Sequence, residues 1–307
     1  MSAEGSKKAI VAALSANAGI AVAKFVGFAV TGSSSMLAEG VHSVADTANQ
    51  GLLLLGQQRA AKDADKLHPF GYGRSRYFYS FVVALVIFAL GSLFALYEGV
   101  EKVRHSHDHG LDSPIVAIGI LVIAICLEGY SFATAYRESS PLKGDASWWR
   151  FIRNSRNPEL PVVLLEDTGA LLGLVLALGG VGLTMATDNP IWDGIGTLCI
   201  GVLLGIIAIV LIVEMKSLLI GEGATDAEEA ALLAALTGSD HVERVIHMKT
   251  QYLGPDELLV AAKLAMPPGA DLTVVARAID DAESHVRAAV PQARIIYLEP
   301  DIDRGIG

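Results

Sequence analysis

Met36-Leu-Ala-Glu-Gly-Val-His42-Ser-Val-Ala-Asp46-Thr-Ala-Asn49-Gln-Gly-Leu-Leu-Leu-Leu-Gly56 is apolar enough to lie in a bilayer, yet it carries an imidazole and a carboxylate four residues apart. At that interval His42 and Asp46 stack on one face of a helix. An ionisable pair at membrane depth is expensive and marks a functional position by default. The plainer alternative is a hydrogen-bonded pair that ties helices together. A second acidic pair, Glu166-Asp167, opens another hydrophobic run. One imidazole and three carboxylates on two helices form a donor set suited to a divalent metal, so His42, Asp46, Asp167 and Glu166 are candidate ligands.

The chain around this stretch has 307 residues, 52% of them hydrophobic and only 18% charged, with a mean hydropathy of +0.47. The charges cluster between long uncharged runs, which is the pattern of a polytopic α-helical membrane protein with a soluble part. The net charge of −10 is unevenly placed: from Gly221 onward there are 7 basic against 15 acidic residues. No basic stripe is present to meet phosphates, so a nucleic-acid partner is not expected. Cys126 and Cys199 lie in separate apolar runs outside any CxxC and read as packing residues.

Hydropathy draws six spans, near 9–31, 36–57, 78–102, 113–136, 160–186 and 192–215, each about the twenty residues a bilayer requires. Arg59, Lys62, Lys66, Arg74 and Arg76 lie between the second and third spans, and Arg137, Lys143, Arg150, Arg153 and Arg156 between the fourth and fifth. The alternate loops are nearly free of basic residues, so both termini are expected to be cytoplasmic. The short basic start, Met1 to Lys8, reads as the head of a retained span rather than a signal peptide. With no Arg/Ser-rich transit segment, a bacterial cytoplasmic membrane is the expected location, with an organellar protein trimmed of its transit segment as the alternative.

Three polar residues inside or beside the spans are candidate relay or gating groups: Lys24, Glu128 and Asn49. For Lys24 the alternative is a side chain that snorkels to the interface. For Glu128 it is a structural hydrogen bond. His105, His107 and His109 form a His/Asp-rich tract on the non-basic side, either a weak metal-handling loop or a solvated one. Trp148-Trp-Arg-Phe-Ile-Arg153 reads as an interfacial amphipathic segment.

Composition changes near Gly221–Ala224, dividing a membrane domain, 1–220, from a tail, 221–307. Thr225 is an N-cap candidate ahead of an acidic first turn and an apolar face. Val242–Tyr252 and Leu258–Met266 read as strands about the Gly254-Pro-Asp256 turn; Asp271–Val290 reads as a helix stopped by Pro291, and Ala293–Leu298 as a last strand. The order αββαβ gives a small α+β, metallochaperone-like domain with helices on one face of its sheet.

Six spans, HxxxD in the second, an acidic entry to the fifth and this tail together resemble the cation diffusion facilitator family of zinc and divalent-metal/proton antiporters. The markers are Ala38-Glu-Gly-Val-His42-Ser-Val-Ala-Asp46, His68-Pro-Phe-Gly-Tyr72-Gly-Arg74 and Leu164-Leu-Glu166-Asp167-Thr-Gly-Ala-Leu-Leu-Gly173. The Glu-Asp-Thr form, with Arg156-Asn-Pro-Glu-Leu-Pro161 before it, is similar to the branch that contains a mitochondrial zinc transporter of animals. The resemblance aligns Asp167 with the fifth-helix ligand and puts Val163, which cannot ligate, at the position four residues earlier. Glu166 replaces that ligand only if its helix is rotated or locally unwound, because neighbours on a helix point about 100° apart. Otherwise it pairs with Lys24 or shuttles protons. The resemblance also implies a secondary metal site at Asp65 and His68, with Tyr72 in its third place. In the tail, His247 matches one ligand of a second site while Lys263, Tyr297 and Glu299 fall on its other positions, so tight metal binding there is not expected.

The implied function is proton-coupled efflux of a divalent cation, zinc first, with manganese, iron or cobalt as alternatives, carried out by a homodimer. No resident cofactor is expected, the metal being substrate. A membrane metal sensor or scaffold that does not transport is the competing reading. An enzyme is not expected, since the chain has neither an HExxH pair nor a nucleophile in a recognisable setting.

Overall fold

A computed structural model of the chain describes residues 2–31, 34–104 and 114–302. Among them, helices α1 (Ser2–Thr31), α2 (Ser34–Ala60) and α3 (Ser75–Val86) are followed by a π-helical segment, Ile87–Leu93, and then by α4 (Phe94–Arg104). Next come α5 (Pro114–Lys143), the short α6 (Trp148–Asn154), α7 (Glu159–Thr187) and α8 (Ile191–Ile220). The remainder is α9 (Asp226–Thr237), β1 (Arg244–Gly254), β2 (Glu257–Ala265), α10 (Leu272–Ala289) and β3 (Ala293–Asp301).

Five helical stretches among the described residues are long and apolar enough to cross a membrane: Gly5–Val30, Ser75–Arg104, Ile118–Lys143, Glu159–Thr187 and Ile191–Ile220. α2 has the length, at 27 residues, but its described part, with Asp46, Asn49, Gln50, Gln57, Gln58 and Arg59, is too polar to count with them. The helices outrun the hydropathy windows: α1 starts at Ser2, and α5 passes through Pro141 to Lys143. Hydropathy reports the apolar slab, whereas helix hydrogen bonding continues into the aqueous layer until a capping residue or Pro stops it. α7 shows such a stop, with Asp188 left-handed at φ 57° and Pro190 two residues on.

The third span departs from the expected single α-helix through its π segment, where Ser92 donates to the Gly201 carbonyl of α8 at 2.8 Å. Close helix approach is built in beside it. A Cβ on Gly99 of α4 would lie 2.8 Å from the Leu198 backbone nitrogen of α8, so only glycine fits. Cys126 and Cys199 are free thiols on the exposed flanks of α5 and α8, not packing residues as their apolar context predicts. In a membrane helix the outward face is as apolar as the inward one, so hydropathy alone does not tell them apart.

The chain falls into two compact units, one comprising residues 1–58 and 76–216, the other 59–75 and 217–307. The second contains the αββαβ tail with strand order β1-β2-β3, β1/β2 antiparallel and β2/β3 parallel. α9 opens on a capping box between Thr225 and Glu228, and Tyr252 of β1 donates to Glu228 at 2.6 Å. α10 is capped by Asp271, which accepts from the Thr273 and Val274 backbones. Leu232, Leu236, Leu258, Val260, Leu264, Ala282 and Val286 form a fully buried core between the two helices and one sheet face. Burial alternates along β2, so Leu259, Ala261 and Lys263 face the side without helices.

Candidate metal-transport site

In the membrane unit, α2 and α7 meet through polar side chains. Asn49 Nδ2 and Gln50 Nε2 of α2 donate to Glu166 Oε1 and Oε2 at 3.3 and 2.6 Å. Asn49 and Gln50 are 1% and 0% exposed, and among the described residues their own carbonyl oxygens accept no hydrogen bond. One residue further along α7, Asp167 is buried and accepts from Ser131 Oγ of α5 at 2.6 Å. Adjacent residues on α7 thus face different neighbours, as the 100° step requires: Glu166 toward α2, Asp167 toward α5.

Glu128 lies one helical turn before Ser131 on the same face of α5 and is also buried. Its charge interacts with those of Asp167, Asp46 and Lys24, while that of Glu166 interacts with those of Asp46 and Glu128. The structure therefore brings together Asp46, Glu128, Glu166, Asp167 and Lys24, with Asn49 as a clamp on Glu166. Lys24 acts electrostatically on Glu128. His42 belongs to α2 by its backbone, but its side chain lies outside the described residues, as do His105, His107 and His109 entirely. Among the described residues, no three His, Cys, Asp or Glu side chains converge on a single metal position. The arrangement is an acidic cluster, buried at Glu128 and Asp167 and half-buried at Asp46 and Glu166, with hydrogen-bond donors that orient two of its carboxylates. Gln50 and Ser131 carry no sequence signal of their own, one following Asn49 in the second span and the other lying between Tyr130 and Phe132 in the fourth.

Asp65 and His68 sit in the loop between α2 and α3. Asp65 Oδ1 accepts from the backbones of Leu67 and His68 at 2.9 and 2.7 Å, and Oδ2 accepts from Tyr72 Oη at 2.7 Å. The His68 ring packs against that of Tyr72 with centroids 4.3 Å apart. The tyrosine hydrogen bond, aided by the His68 and Leu67 backbones, holds the Asp65 carboxyl below its ordinary value, and the same bond pushes the phenol up. Tyr72 thus satisfies the oxygen that a cation would otherwise satisfy.

In the tail, His247, Lys263 and Glu299 lie in one row across the three strands, because His247 pairs with Lys263 and Lys263 with Glu299. With Tyr297 they line a shallow recess. Lys263 Nζ lies 3.0 Å from both Glu299 and Asp301, and these two partners raise its pKa. An ammonium ion therefore stands among the carboxylates where a divalent cation would need access.

Comparison with known proteins follows from this geometry. Residues 10–220 match the cation efflux transmembrane domain. Across 247 residues, 80% of this chain, it is 34% identical to the human protein named proton-coupled zinc antiporter SLC30A9, mitochondrial, of which the match covers 43%. It is 32% identical to Arabidopsis thaliana metal tolerance protein C4 over 84% of this chain and 57% of that protein. A magnetosome protein MamB from Magnetospira is 26% identical over 74% of this chain and 72% of its own length. The chain thus spans about half the length of these animal and plant relatives. With five apolar spans, a three-stranded tail and a family domain covering over two thirds of its residues, the chain is an integral membrane protein that belongs to the cation efflux, or cation diffusion facilitator, family.

Proposed function

We propose that the chain exports a divalent cation, zinc first, in exchange for protons by alternating access, with α2 as the sixth span and both termini cytoplasmic. The observation that carries this reading is the acidic cluster shared by α2, α5 and α7, buried at Glu128 and Asp167 and half-buried at Asp46 and Glu166, with Glu166 held by Asn49 and Gln50 and Asp167 held by Ser131. His42, Asp46 and Asp167 are the proposed ligands. Glu166 joins them if it leaves its two carboxamides, and otherwise fixes α7 against α2. Carboxylates and imidazole must be deprotonated to bind metal, so protons from the far side compete the ion off. The similarity to relatives named as zinc antiporters supports zinc and proton coupling. The oxygen-rich pair Glu166/Asp167 keeps manganese as the alternative. Homodimerisation of the chain, with the division into a membrane domain and a tail near Gly221, belongs to the same proposal. The helix-free sheet face carries Leu259, Ile295 and Tyr297, the last 59% exposed.

The test is metal flux in proteoliposomes under a pH gradient, comparing Zn²⁺, Mn²⁺, Fe²⁺ and Co²⁺. The expected outcome is gradient-driven zinc flux that falls to background in Asp46→Ala and Asp167→Asn. Binding of every metal without flux would instead support a sensor or scaffold. Manganese flux alone would assign selectivity to Glu166 rather than His42.

A further inference from the structure

Arg156-Asn-Pro-Glu-Leu-Pro161 has no task in the transport site proposed above, yet two of its side chains sit in the most thoroughly desolvated ion-pair network among the described residues. Arg76, in the first turn of α3, donates from Nε and Nη2 to Glu159 Oε1 and Oε2 at 2.5 and 2.7 Å. Its Nη2 also reaches Asn157 Oδ1 at 3.3 Å. Asn157 Nδ2 in turn donates to Ser6 Oγ of α1 at 2.7 Å. Ser6, Arg76, Asn157 and Glu159 are 0%, 6%, 8% and 1% exposed. By contrast, Lys102, which joins Glu98 to Asp193 between α4 and α8, is 22% exposed at its side chain.

A buried bidentate pair is a poor device for stability alone, because well-packed apolar residues of similar volume do as well or better. It has one property an apolar plug lacks. Both partners are strongly hydrated once separated, so the same contact is tight when dry and readily parted when wet, as a two-state element requires. The position suits that use. Arg76 and Glu159 lie in the first turns of α3 and α7, Asn157 in the basic connection just before α7, and Ser6 near the N-terminal end of α1. Glu159 precedes Glu166 by seven residues, about 10 Å along α7. Between them Leu160, Val162 and Val163 are all 0% exposed, forming a dry layer below the carboxylates.

We propose that Ser6, Arg76, Asn157 and Glu159 are positioning residues of the transport cycle, forming the barrier between the basic-loop side and the acidic cluster. The barrier is locked in this structure and opens when α3 parts from α7 and water enters the ion pair. The proposal rests on the transport reading, since it takes the cluster to be a site that needs gating.

The experiment places a cysteine at Val163, in the sealed layer, and measures alkylation of the full-length chain in detergent by a charged maleimide. Peptide-resolved mass spectrometry follows the adduct separately from those at the exposed Cys126 and Cys199, which report general loosening. Val163→Cys alone is expected to label slowly. Adding Glu159→Gln should speed labelling at position 163 at least tenfold and leave both reference thiols unchanged. Arg76→Lys keeps the charge but loses the planar fork, so it should give a smaller, several-fold rise; it also serves as the readout if Glu159→Gln does not fold. An unchanged rate at position 163 in a folded variant overturns the proposal, as does a parallel rise at all three thiols. Labelling needs no transport, so the two failures are distinguishable: a wild-type chain that moves no metal sinks the transport reading and with it the role of these residues in a cycle, whereas an unchanged labelling rate overturns the barrier alone.

Discussion

Ser131 turns Asp167 from a buried charge into a directed one. Its hydroxyl takes one carboxylate oxygen at 2.6 Å, which leaves the other for the cation of the transport site proposed above. Groups that orient a metal ligand typically matter at the level of 10–100-fold in affinity. Ser131→Ala is therefore expected to weaken metal binding roughly 10- to 100-fold by calorimetry on the purified chain. Unchanged affinity would mean that the Ser131 bond does not orient Asp167 for a metal. Tyr72 does comparable work for Asp65, outside the membrane. A carboxyl held below its ordinary value contributes stability that is complete above that value and lost only as pH falls through the lowered one. Tyr72→Phe should thus bring the Asp65 titration back toward an ordinary aspartate, read by carbon NMR, and leave the loop unchanged near neutral pH. If that titration does not move, the tyrosine bond is not what holds Asp65 down. His42 and Asp46 stand out in the sequence because a four-residue interval is a local helical signal. Ser131 and Gln50 do not, since their partners lie 36 and 116 residues away and no local pattern encodes such a pairing.

At the scale of elements, the tail was readable almost strand by strand. Thr225 with Glu228, the Gly254-Pro255-Asp256 turn and Pro291 are local punctuation with fixed physical meaning. The π segment was not readable, because apolar content is blind to whether a carbonyl bonds four or five residues ahead. Sheet register adds what composition alone does not: β1, β2 and β3 align His247, Lys263 and Glu299 in one row, with Asp301 also against Lys263. Lys263 places a fixed ammonium in that row. Replacing it tests whether the row is otherwise fit for metal. Lys263→His should create one stoichiometric zinc site per chain in the tail, detected by calorimetry as a second binding event. The unaltered tail should give no such event. A tail event in the wild-type chain would mean that Lys263 leaves its two carboxylates readily.

On the scale of the whole molecule, the chain joins two kinds of core. The membrane unit exposes large apolar side chains such as Val22, Val26 and Val175, which only lipid satisfies, whereas the tail encloses its own core between two helices and a sheet. A domain of about eighty residues is marginal on its own. Yet the fully buried residues of this one come from α9, α10 and the three strands alone, and both helix starts carry their own caps. A fragment from Gly221 to the end is therefore expected to fold independently and unfold cooperatively in urea. At ordinary stability per residue it should show about 4–13 kcal/mol. What the fragment lacks is the 59–75 loop, which belongs to the same compact unit. Gly73 in that loop lies against the β1–β2 turn so closely that a Cβ would sit 2.8 Å from the Leu253 carbonyl. This contact covers backbone at one end of the sheet and none of the helix–sheet core. Its loss should lower the urea midpoint while keeping a single transition with coincident circular dichroism and tyrosine fluorescence. A gradual, non-coincident loss of structure would mean that the loop is needed to complete the tail, and that the boundary near Gly221 divides the sequence but not the folding unit.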